Sequence, residues 1–396
     1  MNNMKQVFFT ICLIGAIQLL SSSASAQEDS NLVASSSASA ILVKGVDKIK
    51  QGDFIGAIVE LDKAVNENPN SAEAYYFRGL AKYDLGDYEA AIEDFDNALS
   101  NNLNYHEAFI KRADSKIKTG NYDGAIDDYS HALILKKDET AYLHRGDAKY
   151  KMSDYAGAIK DFTSAIEMNR GHAFEAYYKR GLTKNEFGRY KEAIYDFDKA
   201  IELYPKYNYA YFYRGYAKNN MHDYKGAIID YSKVIELDPT DKYSFYNRGI
   251  NKKLSGDLAG ALEDYKKALE LDPRFIDAHY HVVEVRHMLG NTSEAIKELS
   301  VIIELYPHEV HAYMNRATFY MELEKFKEAI QDFSKVIELQ PNDREAYYYR
   351  GLSKLNIDDK EGACLDLKKA EQLGEKNANK FIKKSCDNPD THNFIK

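Results

Sequence analysis

Arg78 stands where the apolar face of a helix is expected, and Lys82 follows it at helical spacing. Two cations so placed could hold a carboxylate or another anion, or could neutralise acids of the protein itself. Arg78 belongs to a column, matched by Lys44, Arg112, Arg145, Arg180, Arg214, Arg248, Val282, Arg316 and Arg350. Four residues on runs a second column: Lys48, Lys82, Lys116, Lys149, Lys184, Lys218, Lys252, Arg286, Tyr320 and Lys354. A third column is acidic: Asp94, Asp128, Asp161, Asp196, Asp230, Asp264, Asp332 and Asp366. Where the first column has Arg, the acid is Asp; Lys44 meets Glu60 and Val282 meets Glu298. The types point to a ladder of ion pairs, Arg78–Asp94, Arg214–Asp230 and Arg248–Asp264 among them, within units or between neighbours. An anion-binding stripe is the alternative, but a feature repeated in every unit usually serves the repeat.

Other residues with chemical potential are fewer. His279, His281 and His287 cluster, with His308 and His311 nearby. A metal needs ligands that converge on one point, and His279 and His281 diverge on a helix. His279 also fills a slot that holds Tyr or Phe elsewhere, so a core role is expected and no metal site. Cys364 and Cys386 lie on either side of Gly374, and an antiparallel pair of helices would bring them together. A disulfide is expected in an oxidising compartment, and the lack of a C-x-x-C argues against redox activity. There is no G-x-S-x-G, H-E-x-x-H, phosphate-binding loop or Rossmann glycine pattern. The expectation is a protein that is not an enzyme and needs no cofactor.

A repeat positions these columns. Ala57, Ala91, Ala125, Ala158, Ala193, Ala227, Ala261, Ala295, Ala329 and Ala363 follow one another at 34, 34, 33, 35, 34, 34, 34, 34 and 34 residues. One deletion and one insertion fall near Lys137 and Gly171, between units, so ten units run over 38–374. In the sixth unit a first helix is expected over 206–220 and a second over 223–237. On the second, Ala227, Ile228, Tyr231, Val234 and Ile235 form one apolar stripe. Pro69, Pro205, Pro239, Pro273, Pro307 and Pro341 end units. Small residues recur where helices must approach: Gly79, Gly146, Gly181, Gly215, Gly249 and Gly351 on first helices, the Ala91 series on second helices.

The pattern resembles the tetratricopeptide repeat family. In the sixth unit the resemblance rests on Tyr211, Gly215, Ala227, Tyr231 and Pro239, with Val234 in a slot the family usually gives to alanine. It implies an all-α fold: an α-solenoid, a right-handed superhelix of about ten helical hairpins, with a groove lined by first helices. It also implies a role in binding protein partners. The charged columns depart from the family, which usually has an apolar residue in the first and an aromatic in the second. An RNA-binding pentatricopeptide array would have a 35-residue period and a basic groove, and fits less well. No Lys/Asn/Arg clamp for a partner's C-terminal carboxylate is present.

By this resemblance the partner-binding candidates are Tyr76, Phe77, Lys111, Lys179, Tyr209, Phe212, Tyr213, Tyr216, Tyr243 and Tyr246, with Leu80 beside the first two. Aromatic rings suit peptide recognition, or else they pack against the next unit. The formal charge of -9 argues against nucleic acid or an anionic membrane as partner. Residues 1–26 read as a secretory signal peptide: Lys5, an apolar run over 7–20 too short to span a membrane, then Ala24-Ser25-Ala26. Without Lys5, 53 basic residues become 52 against 62 acidic ones, a charge of -10. No further apolar run would span a membrane. Residues 27–37 are expected as a serine-rich linker and 375–396 as a polar capping helix and tail. The sequence thus predicts an exported scaffold, periplasmic, at the outer envelope or secreted, that binds a protein or peptide. A self-associating structural spacer is the alternative.

Overall fold

The structure, a computed structural model, describes residues 29–168 and 173–386. The expected signal peptide, the insertion near Gly171 and the tail beyond 386 lie outside the described residues. Among those residues there are 21 α-helices and no strand. Nine pairs of successive helices pack as hairpins and the last helix covers the final one; each hairpin takes the number of its unit among the ten of the repeat. The fold is an all-α solenoid. The chain falls into two compact blocks, one up to Thr183 and one from Lys184.

The first hairpin joins α1 (Asp29–Lys50) to α2 (Phe54–Glu67), and the second joins α3 (Ala72–Leu85) to α4 (Tyr88–Asn101). From Asp29 the backbone is already helical, so the described part of the expected serine-rich linker is the start of α1. Ser and Ala there carry no helix-breaking glycine or proline. The sixth hairpin is α11 (Asn208–Asn220) and α12 (Tyr224–Leu237); the seventh is α13 (Lys242–Leu254) and α14 (Leu258–Leu271).

Local chemistry sets these boundaries. Asp53, Asp87, Asp223 and Asp257 each accept a backbone N–H three residues on and so cap a second helix. Gly86, at φ 86°, ends α3 in the left-handed conformation that glycine adopts without strain. At the hairpin crossing, a Cβ added to Gly79 would sit 2.8 Å from the Phe95 ring, so the glycine makes room for that ring.

In the block up to Thr183, Phe95, Tyr129 and Phe162 are fully buried beside alanines of the second helices. In the block from Lys184, Tyr231, Tyr265, Leu299, Phe333 and Leu367 take that place. The tenth hairpin ends in α20 (Lys360–Gln372), which α21 (Ala378–Ser385) covers with Ala378 and Ile382. Cys364 on α20 and Cys386 just after α21 are joined by a disulfide. No helix among the described residues is long and apolar enough to cross a membrane.

Candidate functional site

The charged columns meet where the two helices of a hairpin cross. Nε and Nη2 of Arg78 donate to the two oxygens of Asp94, at 3.0 and 2.6 Å. Arg214–Asp230 (3.0 and 2.5 Å) and Arg248–Asp264 (2.8 and 2.6 Å) repeat that fork. The pairs therefore lie within hairpins. The second column joins them: Lys82, Lys218 and Lys252 reach Asp94, Asp230 and Asp264 at 2.8, 2.7 and 2.8 Å. The remaining nitrogen, Nη1, crosses to the preceding hairpin, from Arg78 to Asp62, from Arg214 to Asp198 and from Arg248 to Ser232. Each guanidinium also lies over the ring three residues before it, as Arg214 does over Tyr211 at 5.3 Å. Burial opposes the charge on Arg214, but the Asp230 bonds outweigh it and raise its pKa. Each of these three guanidiniums thus bonds through all three of its nitrogens to side chains of the protein itself.

The eighth hairpin rebuilds the ladder with other residues. Val282 is buried in the arginine's place, and His279 bonds Glu298 at 2.5 Å, joined by Arg286 at 3.0 Å. Burial pulls the His279 pKa down, but the bonds to Glu298 and the Pro273 carbonyl reverse this and leave it raised. Among the described residues no group of three or more His, Cys, Asp or Glu could hold a metal.

The ten groove candidates separate by environment. Tyr76 and Phe77 are only 8% exposed and belong to the core. Tyr105, in the turn before the next hairpin, lies 4.8 Å from the Tyr76 ring and covers it. Lys111 is tied to Asp114 at 3.1 Å, and Lys179 to Asp147 and Glu175. Tyr246 packs on Phe275 at 4.8 Å. Tyr76 and Phe77 are thus corrected from groove contacts to core packing, while Lys111, Lys179 and Tyr246 are partly buried and engaged with neighbouring side chains. Asp114 itself is the centre of a closed network with Tyr129 (2.6 Å) and His144 (3.1 Å). Burial pushes its carboxyl up, but His144, Lys111 and Tyr129 hold it well below the usual carboxylate range.

The other five gather on α11 and the start of α13. Tyr209, Phe212 and Tyr213 surround a pocket of about 240 Å³ together with Tyr243, while Tyr216 is exposed beside them. Val234 forms a wall, and Asn208, Asp238 and Asp241 complete the rim. Tyr209 and Tyr243 are 57% and 52% exposed, whereas Phe212 rests edge-on against buried Tyr231 at 5.4 Å. Burial, then the charge of Glu186, pushes the Tyr213 hydroxyl up. Two bonds from Thr240 hold Asp238 below the usual carboxylate range, so it is ionised near neutrality.

Family models described as tetratricopeptide repeat match residues 42–102, 78–142, 143–208, 209–241 and 310–343, and one described as TPR repeat matches 252–290. The chain belongs to the tetratricopeptide repeat family. Its fold is similar to that of the C-terminal part of a TPR repeat-containing protein from Cytophaga hutchinsonii, at 22% identity and a TM-score of 0.55. That likeness covers 61% of this chain and 99% of the other. A tetratricopeptide repeat protein from Parabacteroides merdae, also 22% identical, matches over 63% of this chain and 99% of its own, with a TM-score of 0.44. No curated protein sequence matches the chain.

Seen as tetratricopeptide hairpins, the pocket has a simple cause. The turn residue that covers Tyr76 is Tyr105, and the one that covers Tyr246 is Phe275. At the matching turn after α12 stands Asp241, whose carboxylate is spent on capping α13 through Tyr243 N–H and the Ser244 hydroxyl. No ring covers Phe212 from that turn. Sequence reasoning named the rings but missed Asn208, Val234, Asp238 and Asp241. The signal that would have found them is the change from aromatic to acid at the turn. The tetratricopeptide repeat is a protein-interaction scaffold, generally without catalytic activity, and this pocket is an open aromatic surface built largely from first-helix residues.

Proposed function

We propose that the protein binds an extended segment of a partner protein along the first helices of hairpins six and seven, in an exported compartment. The observation that carries this reading is the pocket at Tyr209, Phe212, Tyr213 and Tyr243, whose rings are presented by packed helices instead of mobile loops. Half-exposed tyrosines on a rigid frame offer contact area at small entropic cost, as binding anchors require. Export rests on the signal-like residues 1–26 and agrees with the Cys364–Cys386 disulfide.

A random peptide library displayed on phage tests the binding. The intact protein is expected to enrich a consensus, and the Tyr209→Ala, Tyr243→Ala double variant to lose it while keeping its helical circular dichroism. Enrichment of the same consensus by the double variant, or of none by the intact protein, rejects the pocket as the binding site and favours a structural spacer.

A further inference from the structure

The seventh hairpin contains the corresponding site one repeat on, with Phe275 at the turn where the sixth has Asp241, and there it is filled by the chain itself. Lys242, Tyr243 and Asp272 stand 34 residues after Asn208, Tyr209 and Asp238. The Lys242 ammonium lies over the Tyr243 ring at 4.9 Å and the Phe275 ring at 5.1 Å, and bonds Oδ2 of Asp272 at 2.5 Å. The other oxygen, Oδ1 of Asp272, accepts the backbone N–H of Arg274. In the sixth hairpin, Oδ1 of Asp238 likewise accepts the backbone N–H of Thr240. Among the described residues, however, nothing bonds to its Oδ2. The lysine's place is taken by Asn208, too short to reach across and uncharged. No basic side chain lines the pocket, while Asp241, though bonded at the start of α13, adds negative charge. Tyr243, whose ring also meets Lys242, adds a further aromatic edge.

We propose that the pocket of the sixth hairpin takes a basic side chain, the ammonium or guanidinium of a partner's Lys or Arg, in the position that Lys242 fills in the seventh. This rests on the groove-binding reading and gives its ligand a chemistry. Aromatic faces and a carboxylate attract the same cation through independent electrostatic terms. The net charge of -9 favours the approach of a basic partner.

The test uses the full chain with isotope-labelled tyrosine and three small probes: N-acetyl-arginine amide, N-acetyl-lysine amide and N-acetyl-norleucine amide. The two cationic probes are expected to shift the Tyr209 and Tyr243 ring signals, and norleucine, of similar length but uncharged, to bind about tenfold more weakly. Asn208→Lys supplies the missing ammonium from within. It is expected to abolish cation binding without lowering the Tm, because Lys242 shows that the repeat accommodates it. Asp238→Asn is expected to weaken the cationic probes and leave norleucine unchanged. Equal binding of norleucine and lysine, or undiminished binding to Asn208→Lys, overturns the proposal. If no probe binds but library peptides still require Tyr209 and Tyr243, the cation site is rejected and the groove reading stands.

Discussion

Asp230 is fully buried and takes three bonds from cations, two from Arg214 and one from Lys218. Removing it leaves two positive charges side by side, each largely withdrawn from water. Breaking such a group from one side costs about 3–5 kcal/mol, whereas replacing a pair by apolar residues costs far less. Asp230→Ala is therefore expected to lower the Tm more than the Arg214→Met, Asp230→Leu double change. The double change leaves Lys218, whose flexible stem can carry its ammonium to solvent. Lys218→Tyr should be milder than Asp230→Ala, because the ninth hairpin already has Tyr320 there and keeps Arg316–Asp332 intact at 2.7 Å. Equal Tm values for Asp230→Ala and the double change contradict this account. The Arg–Asp pairing was legible from the columns alone, since arginine and aspartate change together at Val282 and Glu298. The lysine's share in the same carboxylate was not, because spacing along one helix does not tell which facing oxygen a long side chain reaches.

Hairpins were legible as elements because each keeps the same period of small and apolar residues, and six of the ten units end at a proline. What sequence alone left open was which first-helix rings stay uncovered. Tyr76 and Phe212 occupy the same repeat position, yet Tyr76 is buried and Phe212 lines a pocket. The turn into the next hairpin distinguishes these positions: it sets a ring against the first helix at Tyr105 and Phe275, and a capping acid at Asp241. Asp241→Phe is thus expected to close the pocket over Phe212, as Phe275 does over Tyr246. The lost cap costs about 1 kcal/mol and the buried ring offsets it, so stability should change little. Peptide binding should fall sharply. Binding at the original affinity, with a ring at 241, refutes the turn residue as the determinant of this site.

At the scale of the whole molecule the general property of repeat arrays applies: a hairpin is stabilised by its stacked neighbours, and an end hairpin has only one. The ladder contributes little strength between hairpins. The Asp198 and Asp62 side chains that receive the crossing Nη1 bonds are about half exposed, and such pairs are worth up to about 1 kcal/mol. Apolar contact does more, and at the C-terminal end it is supplied by α21, held down by Cys364–Cys386 across 22 residues. A loop of that length removes entropy from the unfolded chain equivalent to about 3 kcal/mol. Reduction should therefore release α21, uncover Leu367 and Ala370 on α20, and let fraying spread inward from the tenth hairpin. Hydrogen exchange under native conditions reads this directly. With reductant, protection is expected to drop first over 344–385 and progressively less towards hairpins seven and six, while 54–101 keeps its rates. A uniform drop along the chain would instead mean that the array unfolds as one cooperative block, and that its stability is not a sum of neighbouring contacts.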